Sequence, residues 1–280
     1  MRKRGVPAML VLSALLGLSP LAADPTIRRG IDVFTTRADG RTYYDFAKQP
    51  IPAGFFCNAS KAFTGRVPLK GLPLATQTPG ELRNADTIVE RLDDAVFNGK
   101  DVAETRIRFR ALSLVSIAPI KTACGDFHVY VTLNGPQRAT TMSISRTQQG
   151  GGTFSAPLAV DARMTFIPVK KSVKSATGNS AQKWELTGSF TFPASPVAWS
   201  LGNEAMKRIS SPVVDTNGDL TPDTRLPGTS NFLAGTPPGN VMTGAYGNIG
   251  ACPCEPVCHA TSGEMHCSYP TEDCYPVVCP

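Results

Sequence analysis

The chain has 280 residues, with 28 Lys and Arg against 22 Asp and Glu, 25 Gly, 24 Pro and 8 Cys. The formal charge of +6 is spread over short clusters rather than one basic stripe, which argues against a nucleic-acid partner. Glycine and proline above ordinary usage exclude a fold of long helices and favour many short elements joined by turns.

Met1 to Ala23 has a positive head (Arg2, Lys3, Arg4), an apolar run from Val6 to Leu18 and the small residues Leu21-Ala22-Ala23. This is the layout of a secretory signal peptide, and the run is too short to span a bilayer. No cysteine follows it, so a lipid anchor is not indicated, and no later segment is apolar enough to cross a membrane. Cleavage removes three basic residues and takes the charge from +6 to +3. The expected location is secreted or periplasmic.

From about Gly30 to Ser200 the dominant period is two. Asn98-Gly99 offers a tight turn, because both positions of the favoured two-residue hairpin loop need positive φ. A simple loop there sets Arg91 opposite Arg106, and facing like charges destabilise a ladder. A register shift or other strand neighbours is therefore expected. In Thr105 to Ile117 the odd positions (Ile107, Phe109, Ala111, Ser113, Val115, Ile117) face one way throughout. The even positions change from Arg106, Arg108 and Arg110 to Leu112 and Leu114, as in a strand running from rim to core.

Cys124 to Leu133, Asn134-Gly135 and Arg138 to Arg146 read as a second hairpin, with Phe127 opposite Met142 and Val129 opposite Thr140. Phe154 to Pro168 alternates strictly and is expected to bend or split near Pro157. Its predicted partner is Trp184 to Phe192, across a loop carrying Lys170, Lys171, Lys174 and Lys183. A helical period occurs only at Asn203 to Ile209, with Asn203 as N-cap. These elements predict an all-β fold, an antiparallel β-sandwich over 24–200, with a partly closed barrel as the alternative. Residues 201–250 then form a calcium-loop segment and a Gly/Pro-rich linker (the linker reading extends over 227–256), and 251–280 a Cys-rich module.

Asp215-Thr-Asn-Gly-Asp-Leu-Thr-Pro-Asp223 places oxygen donors at Asp215, Asn217, Asp219 and Asp223, with the Thr221 carbonyl between them. Calcium takes six to eight oxygens, and alternate residues of a tight loop supply them. The plain alternative is an Asn-Gly turn with solvated acids. These residues resemble the short calcium loops of thrombospondin type 3 repeats, dockerins and FG-GAP repeats. Two departures stand out: Leu220 replaces the family's glycine, and position twelve is Leu226 instead of an acid.

The tail carries Cys252, Cys254, Cys258, Cys267, Cys274 and Cys279. Three disulfides allow fifteen connectivities, which spacing does not resolve. The rival reading takes Cys252, Cys254, Cys258, His259, His266 and Cys267 as ligands for zinc or copper(I). Cys57 and Cys124 remain, and a bond between them is expected to brace the sandwich.

No Gly-x-Ser-x-Gly elbow, His-Glu-x-x-His or phosphate-binding glycine loop is present. Asp126, His128 and Tyr130 share one side of a strand and are the only row suited to acid-base work. Trp199 is the aromatic candidate for sugar stacking. The segments PIPAGFF (50–56), FTGRVPLKGLPL (63–74) and ADTIVERLDDAVF (85–97) resemble a group of uncharacterised exported bacterial proteins over roughly Ile31 to Val169. That resemblance implies one β-rich exported domain and no activity. The expected function is a non-enzymatic structural or binding module with calcium as cofactor and a protein or glycan partner. A zinc- or copper-handling protein and a carbohydrate-binding or hydrolytic module are the alternatives.

Overall fold

The computed structural model describes residues 26–74, 82, 84–169, 184–192, 196–202, 209–216, 221–235, 241–250, 257–261 and 264–268, with backbone alone at 158, 192, 241–250, 257–261 and 264–268. The signal peptide at 1–23, the lysine loop at 170–183 and nearly all of the helix at 203–209 lie outside the described residues.

The described residues form strands and no helix. The order begins β1 (Thr26–Ile27), β2 (Gly30–Phe34), β3 (Tyr43–Asp45), β4 (Arg66–Gly71), β5 (Thr87–Arg91), β6 (Ala95–Val96) and β7 (Val102–Ser116). It continues through β8 (Ile120–Thr122), β9 (Gly125–Leu133), β10 (Thr140–Gln148), β11 (Gly151–Ser155), β12 (Leu158–Pro168) and β13 (Trp184–Phe192). Then come β14 (Val197–Leu201), β15 (Val213–Val214), β16 (Thr224–Arg225), β17 (Phe232–Ala234), β18 (Val241–Gly250), β19 (Val257–Thr261) and β20 (Glu264–Ser268).

The 15-residue strand β7 organises the molecule. Its first part lies between β5 and β10, and its last residues lie between β4 and β9. One layer runs β17-β14-β11-β10-β7-β5-β2. The other runs β7-β9-β12-β13-β18-β3-β4 and returns to β7, through a two-residue parallel contact of Val241 and Met242 with Tyr43 and Tyr44. All other described pairings are antiparallel. Strands outside this circuit leave free ends at β17, β2 and β8, and the architecture is an all-β, predominantly antiparallel, sandwich-like fold.

Burial along β7 follows this change of layer. Odd positions Ala103, Thr105, Ile107, Phe109 and Ala111 are buried first, and even positions Leu112, Leu114 and Ser116 are buried at the end. The wet-to-covered change predicted for its even positions is therefore the strand's passage between layers. One continuous core joins Ile107, Phe109, Ile144, Trp199 and Phe232 to Phe127, Val131, Met164, Phe166, Trp184 and Phe190. Each such side chain contributes about 1.5–3 kcal/mol by leaving water. A smaller cluster gathers Ile31, Leu82, Ala85, Ile88, Ala111, Val214 and Leu226.

The split at Pro157 and the pairing of β12 with β13, from Leu158↔Phe192 to Phe166↔Trp184, are as expected. The register shift near Asn98-Gly99 is also present. A turn longer than two residues, in which the Asn98 N–H donates to the Val102 carbonyl and the Asp101 N–H to the Asn98 carbonyl, and the departure of β6 to pair with β1 set Arg91 opposite Ile107, and Arg106 instead binds Asp93.

Two expectations are corrected. The Asn134-Gly135 hairpin does not form: β9 pairs with β12, while β10 pairs with β7 and β11. Gly135 does turn, at φ 76°, but the Gln137 amide then locks onto the backbone of Asp161. Gln137 Nε2 donates to the Asp161 carbonyl at 2.8 Å, and the Asp161 N–H donates to Gln137 Oε1 at 2.8 Å. The connection is thereby held on β12 while the chain crosses to the other layer. Residues 227–256 are also no structureless linker. They contain β17 and β18, and β18 pairs with β13 from Thr191↔Thr243 to Glu185↔Gly250. Ladder pairing to an ordered neighbour outweighs the poor strand propensity of glycine.

Candidate functional site

The acidic loop at 215–223 is closed at its base by β15 and β16, with Val213↔Arg225 and Val214↔Thr224 in register. The Asp223 N–H donates to the Val214 carbonyl at 3.1 Å, and the Leu226 N–H to the Pro212 carbonyl at 2.9 Å. Both ends of the pattern thus meet at one mouth. Val214 and Leu226 are buried in the smaller cluster, which explains why position twelve is apolar: it anchors the loop instead of ligating.

Asp215 is half-buried at the mouth, while Thr221 and Asp223 are exposed. Asp223 Oδ1 accepts from the hydroxyls of Thr224 at 2.8 Å and Thr216 at 3.4 Å, and those two hydroxyls lie 2.9 Å apart. Asn217 and Asp219 lie outside the described residues. Among the described residues no group of three or more His, Cys, Asp or Glu side chains is placed to hold a metal ion.

Cys57 and Cys124 are joined, with their Cα atoms 6.0 Å apart and a sequence separation of 67. Cys57 belongs to the connection between β3 and β4, which is pinched by mutual Ile51 and Phe63 backbone bonds of 3.0 and 2.9 Å. Phe55 and Phe56 from this connection plug the core. Phe56 lies 4.8 Å from the Phe127 ring and 5.3 Å from Phe166, and Trp184 Nε1 donates to the Phe56 carbonyl at 3.1 Å. The disulfide ties this plug to the start of β9.

The row Asp126, His128, Tyr130 is present on β9, and His128 Nδ1 sits 3.2 Å from Ser116 Oγ. That hydroxyl accepts the Val129 N–H at 3.0 Å and is 1 % exposed. It ties β7 to β9 and is too enclosed to receive a substrate. Trp199 is likewise no surface platform. It is buried, donates from Nε1 to the Ser145 carbonyl at 3.1 Å, and stacks between Phe97 and Phe232 at 5.9 and 5.4 Å.

Sequence reasoning missed one buried polar centre. Arg91 binds Asp32 through Nε (2.8 Å) and Nη2 (3.2 Å), donates to Ser230 Oγ at 2.9 Å and to the Arg28 carbonyl, and lies over the Phe232 ring. It closes the seam between β2 and the segment entering β17. Its one sequence signal is a basic residue at the end of an apolar strand, where nothing in the pattern marks burial. Asp86 is the contrasting case: it accepts from the Thr36 N–H and from the hydroxyls of Thr36 and Thr87, with no cation bound to it among the described residues. Burial raises its pKa above the ordinary carboxylate value, against the lowering effect of those hydrogen bonds.

In the tail, β19 and β20 form a ribbon whose register sets Cys258 opposite Cys267 and His259 opposite His266. Adjacent positions of a strand belong to opposite faces, so the cysteine pair and the histidine pair do not share a face. Cys252, Cys254, Cys274 and Cys279 lie outside the described residues. Comparison with known proteins gave no match to any family model, curated protein or solved structure.

Proposed function

We propose that this chain is an exported, non-enzymatic β module of structural or binding role, braced by disulfides and stabilised by calcium at 215–223. Its tail meets a protein or glycan partner outside the cytosol. Export rests on the first 23 residues, and the likeness of roughly 31–169 to uncharacterised exported bacterial proteins supports the same reading.

The observation that carries the calcium assignment is the closed base of the loop. Asp215 and Asp223 meet at a mouth whose hinge residues Val214 and Leu226 are core. A cation ordering that loop therefore acts directly on folded stability. Millimolar-range calcium, appropriate to a weak extracellular site, is expected to raise the melting temperature over chelator. Asp215→Ala and Asp219→Ala should each abolish the rise, and its absence in the unaltered chain sinks the assignment. Turnover of a glycan, ester or peptide, lost on His128→Ala, would overturn the non-enzymatic reading.

The second reading is a zinc- or copper-handling tail. Its support is the register that sets Cys258 opposite Cys267 as one thiol pair, to which other thiols of the tail would have to be added to complete a donor set. Stoichiometric metal on a tail with free thiols would establish it.

A further inference from the structure

The tail ribbon carries more than its metal reading uses. Of fifteen ways to join six cysteines in three pairs, the backbone singles out one bond. We propose that Cys258 and Cys267 form a disulfide across the β19–β20 ribbon, an inference that rests on the oxidised, exported reading of the tail.

The register runs Val257↔Ser268, Cys258↔Cys267, His259↔His266, Ala260↔Met265 and Thr261↔Glu264 without a bulge. Residues directly opposite in an antiparallel ladder have Cα atoms about 4.5 or 5.5 Å apart, depending on the type of pair. Both spacings fall inside the range of roughly 4.4–6.8 Å that disulfides take. The backbone separation therefore permits the bond at this one cross-strand pair. The chemistry is two thiols giving one S–S bond with loss of two protons and two electrons. A disulfide-bearing oxidant, an oxidised dithiol protein or glutathione disulfide, is reduced to its thiols in return.

Two consequences follow. The remaining cysteines flank the ribbon, Cys252 and Cys254 before it and Cys274 and Cys279 after it, so three connectivities remain in place of fifteen. Two thiols also leave the zinc or copper(I) donor set.

The test maps bonds in the full chain prepared two ways, as exported by cells and as reduced protein reoxidised in a glutathione redox buffer. Free thiols are alkylated, the chain is cut without reduction after Glu264 and Glu272, and the peptide holding Cys267 alone (265–272) is identified by mass with its partner, in which fragmentation separates Cys258 from Cys252 and Cys254. The expected result in both preparations is a bond to Cys258, with no alkyl label on either residue. Cys258→Ser should leave Cys267 as the single new alkylated thiol, and Cys267→Ser should leave Cys258. A bond in the reoxidised chain but not in the exported one upholds the pairing and sinks the oxidised-export reading. Cys267 joined elsewhere, or both thiols labelled after reoxidation, overturns the pairing itself.

Discussion

Two regions of this molecule secure a passing segment against the core by opposite means. At the plug, Phe55 and Phe56 fill the space beside Phe127, Phe166 and Trp184, and Cys57–Cys124 adds a covalent tie. At the seam, Arg91 is held by Asp32, Ser230 and the Arg28 carbonyl with no covalent help. A disulfide acts chiefly by restricting the unfolded chain, whereas a buried ion pair acts in the folded state and must first offset the cost of leaving water. The plug should therefore tolerate small changes in geometry, and the seam should not.

The most damaging single change is expected at the seam. Asp32→Ala leaves Arg91 buried without its counter-charge and should cost about 3–5 kcal/mol. A paired Asp32→Leu, Arg91→Met replacement should recover most of that loss. Denaturant titration of the three chains checks this, and a cost for Asp32→Ala no larger than an exposed ion pair's, roughly 1 kcal/mol or less, would erase the contrast. Next comes the plug: Cys57→Ser with Cys124→Ser should cost up to about 4 kcal/mol, the double change avoiding mispairing with the tail. Thermal melts of this variant should be insensitive to reductant at the sandwich transition, while those of the unaltered chain shift downward.

Gln137 provides a neutral reference, since it joins β12 to the crossing loop without charge or covalent bond. Gln137→Ala strands the Asp161 N–H, while the Asp161 carbonyl keeps the Asn134 N–H at 2.9 Å, and chemical denaturation should show a loss of about 1–3 kcal/mol. The mildest effect concerns Asp86, a carboxylate held by hydrogen bonds from Thr36 and Thr87. Its folded pKa is raised by burial, so its contribution to stability is fully present below the unfolded carboxylate value. That contribution falls as pH rises through the folded one. Asp86→Asn, which keeps an acceptor for the Thr36 N–H, should flatten this fall in melts taken from acid to neutral pH. Asp93 works with the opposite sign, because its hydrogen bond from Arg106 lowers its pKa, so the informative quantity is the difference between variant and parent. An unchanged slope would show that Asp86 does not resist ionisation.

The strands that alternate cleanly are legible in the amino-acid sequence alone. β12 and β13 share parity over Val160 to Phe166 and Trp184 to Phe190, and β7 announces its change of environment at Leu112. What the pattern hides depends on contacts far away in sequence. Asn134-Gly135 carries the local chemistry of a hairpin, yet a single glutamine amide aimed at Asp161 redirects the chain. β18 is rich in glycine and takes its order from β13. The seam leaves no trace in the periodicity because Arg91 and Ser230 are 139 residues apart, and neither residue type signals burial. Of the candidate cation loop, the acidic spacing is readable, whereas the role of Leu226 as its anchor emerges only from packing.

The passage of β7 through both layers bears on how the protein comes apart. Its neighbours β4, β5, β9 and β10 are drawn from residues 66 to 148, and each layer uses a different stretch of the same strand. Releasing one half frays the template on which the other is hydrogen-bonded, so neither layer is an independent unit of opening. Hydrogen exchange should accordingly find the slowest amides along Ile107 to Leu114. It should find them lost together, in one cooperative event, rather than layer by layer.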